Sequence, residues 1–518
     1  TVAAQSVNFS EHISPIIYNN CAKCHRPGEV APFPLTSYGD VVSRGQMIKH
    51  VTGIRYMPPW MPDRTFSKLL DERYLTDEQI KLIADWVDAG APQGDPRLEA
   101  PLPNFPSGSQ LGKPDLVLSM SQSYAIKGNN QDEYRIFVFP TELIQDRQIS
   151  AVEFRPGNKK IVHHTLIAVD TTGQGRIKDQ QDPGYGYAGF GGFGGVVISD
   201  LFPGYVPGAT PRFFPDGIGQ RLPKNADLLV QIHYAPSPIA SSDSSSINIF
   251  FAKKPVTRYL QLYIMLPFNL INGPFVIPPN EVKQFHGVVN VPFDVSLLSL
   301  WPHCHLLGKS WEVYFEDATG KRTNLLRINN WNFNWQGSYL PERLIKIPAG
   351  STVHAFATYD NTVNNPSNPN NPPQQVTWGE KTTDEMYFFP LGFVMYQPGD
   401  ENIDLRTEVK GRDQANVVTG FELSQNYPNP FLSAAKSPAR GGGNPTTAIK
   451  FALPRAERVQ LVIYDLLGRK IATLVDNEIL AAGQHVRNWE ARNAPSGVYF
   501  YRMTAGDFRE TKKMILMQ

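Results

Sequence analysis

The sequence predicts a multidomain, mainly β protein that opens with one small helical unit. Its 518 residues exceed what one ordinary hydrophobic core organises, so several domains are expected. The 44 prolines and 41 glycines punctuate short apolar runs that alternate with period two, the mark of strands with one buried face. A helical period is confined to the residues before about 98. The expected units are a helical domain over 1–98, a linker over 99–114, β-sandwiches over 115–265 and 266–405, a linker over 406–420 and a third β unit over 421–518.

In the first unit, Thr76-x-x-Gln79 reads as a capping box. Ile80, Ile83, Ala84 and Val87 then share one helix face, and Gly90 is the stop. Ile13, Ile16 and Ile17 lead another apolar face toward Cys21 and Cys24. The proline-rich stretch from Ala91 to Gly112 carries no periodicity and reads as a connection. Beyond it Leu116, Leu118 and Met120 alternate, as do Tyr134, Ile136 and Val138, and the runs at 161–169 and 227–235 are strand-like. A second series of strands begins near 257 and ends near 397, so two sandwiches should meet around 265–285. The aromatic-glycine run 185–195 and the asparagine-proline run 364–375 are expected as surface loops, the first with a substrate lid as its alternative role.

Lysine plus arginine nearly balance aspartate plus glutamate, and the formal net charge of +1 gives no reason to expect nucleic acid or an anionic membrane as partner. No apolar run approaches the roughly 20 residues of a membrane helix, so no transmembrane segment is expected. Of three cysteines, two lie in a CxxCH box, which leaves Cys304 without an intrachain disulfide partner.

That box, Cys21-Ala22-Lys23-Cys24-His25, places two thiols one turn apart for thioether bonds to a haem, with His25 beneath the iron. A zinc site would want a second cysteine pair, which the region lacks. Met57, in Tyr56-Met57-Pro58-Pro59-Trp60, is the expected distal ligand, with Met61 and His50 as alternatives. With Arg26-Pro27-Gly28-Glu29 and Trp86-Val87-Asp88-Ala89-Gly90, residues 7–95 resemble small bacterial monohaem cytochrome c domains, which place an axial methionine in a Met-Pro-Pro-Trp motif. The resemblance implies one covalently attached haem c, and with it passage outside the cytoplasm after removal of an export signal that this chain does not carry.

His303-x-His305 on a strand would set both imidazoles on one face about 7 Å apart at the Cα level, with Cys304 facing away. The adjacent pair His163-His164 can reach one ion only where its strand twists or bulges. His233 lies in the alternating run Leu229-Val230-Gln231-Ile232-His233-Tyr234, and Met386 in Thr383-Asp384-Glu385-Met386. Imidazole suits both copper oxidation states and a thioether favours Cu(I). His163-His164-Thr165, Tyr205-Val206-Pro207-Gly208-Ala209 leading to His233-Tyr234, His303-x-His305-x-x-Gly308-Lys309 and Thr383-Asp384-Glu385-Met386 resemble the copper type II, ascorbate-dependent monooxygenases. Peptidylglycine α-hydroxylating monooxygenase and dopamine β-hydroxylase are familiar members.

The resemblance spans about 115–400 and implies two jelly-roll sandwiches, two copper ions and a solvent-filled cleft between them. His163, His164 and His233 would hold the electron-transfer copper; His303, His305 and Met386 would hold the copper at which oxygen is activated. The motifs that recognise a peptide or a catecholamine have no counterpart, so the substrate does not carry over. Cys304 is expected as a buried bystander or a redox-sensitive neighbour, and His354 as a structural residue or one that orients a ligand. His12, His286 and His485 receive no role.

Asn426-Tyr427-Pro428-Asn429-Pro430-Phe431, Tyr464-Asp465-x-x-Gly468-Arg469 and Ser496-Gly497-Val498-Tyr499 resemble type A sorting domains of the type IX secretion system, small Ig-like β-sandwiches recognised by an outer-membrane translocon. The resemblance covers about 421–518, with an insertion after Phe431, and implies release to the cell surface or the medium. The expectation is an exported copper monooxygenase acting on a small organic or peptide substrate with O2. Electrons from ascorbate or a redox protein would enter at the tethered haem. The alternative is an electron-carrying or structural surface cytochrome whose sandwiches hold copper without oxygenase chemistry.

Overall fold

The computed structural model describes residues 7–105, 108–189, 192–406, 421–426, 429, 431–432, 446–480, 483–491 and 494–517. Outside the described residues lie the expected 406–420 linker beyond Arg406, the insertion after Phe431, and Tyr427, Pro428 and Pro430 of the motif that precedes it. The chain is mainly β and forms several sheets, with most helix in the N-terminal unit.

Four α-helices build that unit: Ser14–Asn20, Tyr38–Val42, Gly45–Gly53 and Asp77–Asp88. The capping box is formed in both directions: the Thr76 hydroxyl accepts from the Gln79 N–H, and the Gln79 side chain accepts from the Thr76 N–H. Phe9, Ile13, Ile17, Ile83 and Trp86 are fully buried in its core, and Trp86 Nε1 donates to the Pro92 carbonyl at 3.0 Å.

The helical unit does not close on itself. A strap running from Trp60 to Arg73 lies along the second sandwich, where Leu69 enters the core and Trp60 and Met61 pack against it. Along the strap, Asp63 N–H donates to the Arg327 carbonyl at 2.7 Å and Leu70 N–H to the Leu340 carbonyl at 2.8 Å. Arg73 reaches the Gly208 carbonyl of the first sandwich at 2.6 Å, and Lys159 pairs with Glu29 at 2.6 Å. The helical unit is thus docked on both sandwiches. The neighbouring sandwich buries the strap's large apolar side chains.

In the first β unit, two five-stranded sheets face each other across Phe137, Phe154, Ile167, Val230 and Ile249. Strand Arg258–Tyr259 pairs with Ile218–Leu222, whereas Gln261–Met265 pairs with Phe389–Met395 of the next unit. The chain thus changes unit at the buried Leu260, a few residues before the boundary read from the sequence. The second unit sets two four-stranded sheets around Phe285, Trp311, Tyr359 and Phe389. The third sets a three-stranded and a five-stranded sheet around Phe451, Leu461, Trp489 and Tyr501.

The asparagine-proline run is a largely exposed loop as expected, but the aromatic-glycine run is not a free surface loop. Tyr187 and Phe193 are buried with Ile136, Ala168 and Leu229, so this run covers the outer face of a sheet of the first unit.

Candidate metal centre

Strands Glu133–Pro140, Val162–Asp170 and Asp227–Tyr234 are neighbours in one sheet of the first unit. Tyr134 and His164 both stand opposite His233, so all three share one face. The register shifts between Val162 and His164, leaving His163 as the extra residue of a bulge. This bulge is what the adjacent histidine pair required, because a regular strand would send the two rings to opposite faces. His163 Nδ1 and His164 Nδ1 lie 3.2 Å apart, and His233 Nδ1 lies 3.4 Å from His164 Nδ1. One ligating nitrogen from each of the three falls within 4.8 Å of the others.

The outer nitrogen of His233 is already committed: Nε2 bonds Asp132 Oδ1 at 2.7 Å, which leaves Nδ1 with its lone pair facing the cluster. Tyr134 stacks on the His233 ring at 4.3 Å and 5°. Burial and the neighbouring imidazoles push His163 down to about 3 and His164 well below its ordinary value. Three imidazoles whose nitrogens converge in this way fit a cation.

His303 and His305 do not lie on a regular strand. His303 makes an isolated bridge to Phe388, and His305 sits in the turn before strand Gly308–Glu316. Their rings still approach to 5.1 Å at 88°. His303 Nδ1 bonds Gln336 Oε1, whose amide is fixed because Nε2 donates to the Phe333 carbonyl at 3.0 Å. His305 Nδ1 bonds the Asp384 carbonyl at 3.1 Å. Both rings therefore keep Nε2 free, and burial pushes them down to about 3 and about 4.

Met386 is half-buried, and its backbone is tied to that of His305 by its neighbour. The fully buried Glu385 carboxylate accepts from the N–H groups of His305, Leu307 at 3.0 Å and Met386 at 2.8 Å, locking the segments that carry His305 and Met386 together. Burial raises Glu385 to about 8 against those bonds.

The two groups of histidines meet. His164 and His303 lie 5.7 Å apart between ring centroids, and Phe333 touches His163 at 5.0 Å and His305 at 5.8 Å. The expected solvent-filled cleft between two separated sites is thus closed. Two bonds across the units hold it so: Thr382 Oγ1 donates to Asp132 Oδ1 at 2.9 Å, and Tyr134 Oη donates to the Glu380 carbonyl at 2.9 Å.

In the helical unit, Cys21 caps helix Ser14–Asn20, and the Cys24 and His25 N–H groups both donate to its carbonyl, at 3.1 and 2.9 Å. His25 Nδ1 bonds the Phe33 carbonyl at 3.0 Å, leaving Nε2 free for an iron. Burial raises the Cys21 thiol to about 12. Two thiols one turn apart beside an imidazole with one free nitrogen fit a covalent haem. Met57, half-buried, follows helix Gly45–Gly53 and donates its N–H to Val51. Of its alternatives, Met61 is occupied by the second unit, its Sδ accepting the Asn332 N–H at 3.2 Å, and His50 is exposed.

A cavity of about 1590 Å³ lies where the helical unit meets both sandwiches; Cys24, Trp60, Arg73, Tyr205, Gln336 and Tyr339 line it. Tyr205 N–H donates to Thr165 Oγ1 at 3.1 Å, one residue from His164.

Cys304 is buried in the core and accepts from Trp311 Nε1 at 3.4 Å, a structural position. His354 pairs with His286 at 2.9 Å and stacks on Tyr314, so it orients none of the site histidines. His485 stacks on Phe451. Sequence reasoning missed Asp132, Tyr134, Phe333, Gln336 and Glu385. Only Glu385 carried a local signal, an acidic side chain directly before Met386.

No curated protein matches the sequence. Among solved structures the chain aligns with a β-glucuronidase of Parabacteroides merdae at 9% identity, over 45% of this chain and 28% of that one, with a TM-score of 0.16. It aligns with the VP2 subviral particle of infectious bursal disease virus at 9% identity, over 58% and 76% of the two chains, with a TM-score of 0.17. The chain thus spans little more than a quarter of the glucuronidase, and scores this low assign neither fold nor activity. Among the described residues no helix is long and apolar enough to cross a membrane. Residues 443–517 match the secretion system C-terminal sorting domain, so the chain carries the sorting tail of a type IX secretion substrate and is exported to the cell surface or the extracellular space.

Proposed function

We propose that the protein is a secreted copper-dependent monooxygenase that hydroxylates a C–H bond of an organic substrate with O2, supplied with electrons through its own c-type haem. The reading takes residues 115–405 as two jelly-roll sandwiches of the copper type II monooxygenase kind, residues 1–98 as a cytochrome c domain and residues 421–518 as a type A, Ig-like sorting domain. One observation supports it above the rest: five imidazoles from two units, His233 and His305 buried and His163, His164 and His303 half-buried, converge on one another. Each of His233, His303 and His305 has one ring nitrogen held by Asp132, Gln336 or Asp384.

His163, His164 and His233 would hold one copper, and His303, His305 and Met386 the other. Bound there, copper supplies one-electron redox chemistry and oxygen activation, and the haem supplies electrons singly. The residues themselves orient and exclude water. Asp132 and Gln336 fix the tautomers of His233 and His303, Glu385 fixes the backbone that carries His305 and Met386, and Phe333 fills the space between the two groups. Cys21, Cys24, His25 and Met57 would hold the haem beside a cavity that Tyr205 shares, and the Tyr205 backbone leads through Thr165 to His164. The external donor, ascorbate or a redox protein, would reach the haem unit.

The test is copper and iron analysis of the copper-loaded protein, EPR of its oxidised form, and oxygen consumption with candidate substrates. Two coppers per haem with nitrogen-rich type 2 signals and a hydroxylated product are expected. One haem without stoichiometric copper would overturn the oxygenase and leave a secreted cytochrome.

A further inference from the structure

One short segment touches both groups of histidines and the strap that follows Met57. Asn332 N–H donates to Met61 Sδ at 3.2 Å, four residues beyond Met57. Phe333 lies against His163 at 5.0 Å and His305 at 5.8 Å. Gln336 bonds His303 through Oε1 and Phe333 through Nε2. Tyr339 meets Trp60 edge-on at 5.6 Å, and Leu340 accepts the Leu70 N–H at 2.8 Å. The segment is not free to slide, because Tyr339 and Leu300 exchange backbone hydrogen bonds of 2.8 and 2.9 Å, three residues before His303.

We infer that Asn332–Leu340 couples metal occupancy of the imidazole centre to the haem, by linking the positions of His303 and Phe333 to the strap that begins at Trp60, three residues after Met57. The inference rests on the proposed copper and haem sites. Its physical basis is contact. Gln336 is the positioning residue at one end, since drawing His303 Nε2 onto an ion must move or strain the amide that holds Nδ1. Tyr339 is the contact at the other end, packed on the residue three beyond Met57. The bonds to Met61, His303 and Leu70 and the ring contacts to His163, His305 and Trp60, all made within nine residues, form a continuous path of packed groups. The coupling is thermodynamic, so it acts in both directions. A metal that shifts the haem equilibrium must itself bind with different affinity to the ferric and ferrous forms.

Zinc is the probe, because it takes nitrogen ligands and has no redox chemistry of its own. Zinc titrated into the haem-loaded, copper-free protein should shift the haem midpoint potential and the charge-transfer band of methionine-ligated ferric haem, saturating as the histidines fill. Zinc affinity should differ by about 5-fold or more between ferric and ferrous protein. In Tyr339→Leu both effects should vanish while zinc still binds and the haem spectrum persists. Trp60→Leu, on the other side of the contact, should do the same if Tyr339→Leu does not fold. Stoichiometric zinc binding with an unmoved haem, or a shift that survives both substitutions, would overturn the coupling and leave the copper reading standing. Failure of zinc and copper alike to bind would overturn both.

Discussion

His164 of the first sandwich and His303 of the second stand 5.7 Å apart between ring centroids, at 76°, so histidines from two units meet. The hydrogen bonds from Thr382 to Asp132 and from Tyr134 to Glu380 are what place the second unit's 380–386 segment against the first unit's sheet. The geometry of the site therefore depends on Asp132, Thr382, Tyr134 and Glu380 as well as on the histidines.

Met386→Leu keeps the side-chain volume and removes the thioether, a swap that usually costs under about 1.5 kcal/mol. Product formation should be lost while the haem spectrum and thermal unfolding stay near those of the parent. Retained hydroxylation would remove Met386 from the oxygen site.

Asp132→Asn keeps the shape but offers His233 Nε2 an uncharged partner. Copper affinity at the His163, His164 and His233 group should fall by about 10–100-fold, measured by chelator competition. The same substitution weakens the Thr382 contact, so proteolysis within 376–386 should quicken.

Glu385→Ala strips the acceptor from three buried N–H groups, each costing about 1–3 kcal/mol when left unsatisfied. Glu385→Gln retains one oxygen and should lose less. Denaturant unfolding of the two variants should rank them in that order, with the alanine variant also losing metal at the second group.

The metal-free protein should show a stability maximum between its acidic and alkaline limbs. His163, His303 and His305 are pushed to about 3, 3 and 4, and His164 is pushed well below its ordinary value, so unfolding takes up protons on these groups. Their contribution is complete above the ordinary histidine value near 6.5 and is lost as pH falls below it. Glu385, raised to about 8, works the other way: its contribution is complete below about 4.5 and is lost as pH rises through 8. Four imidazoles outweigh one carboxyl between 4.5 and 6.5, so melting temperature should climb there and decline toward pH 8. Glu385→Gln should flatten the alkaline limb, and His163→Gln should soften the acidic one.

The sequence by itself determined what depends on neighbours along the chain. Thr76 and Gln79 form their capping box because both partners lie within one turn. The mainly β character and the sorting tail follow from alternation and local motif. The bulge that lets His163 and His164 share a site was implied by the doublet itself and is present in strand Val162–Asp170. Only the tertiary structure decided where the units stop and how the site closes. Trp60, Met61 and Leu69 read as part of the helical unit, yet they pack against another core, because burial is settled by whichever apolar surface is within reach. Asp132, Gln336 and Phe333 carry no periodicity or motif that marks them. Their roles arise from contacts to His233, His303 and His163 that span 101, 33 and 170 positions, and no local pattern encodes a hydrogen bond or a ring contact across such separations.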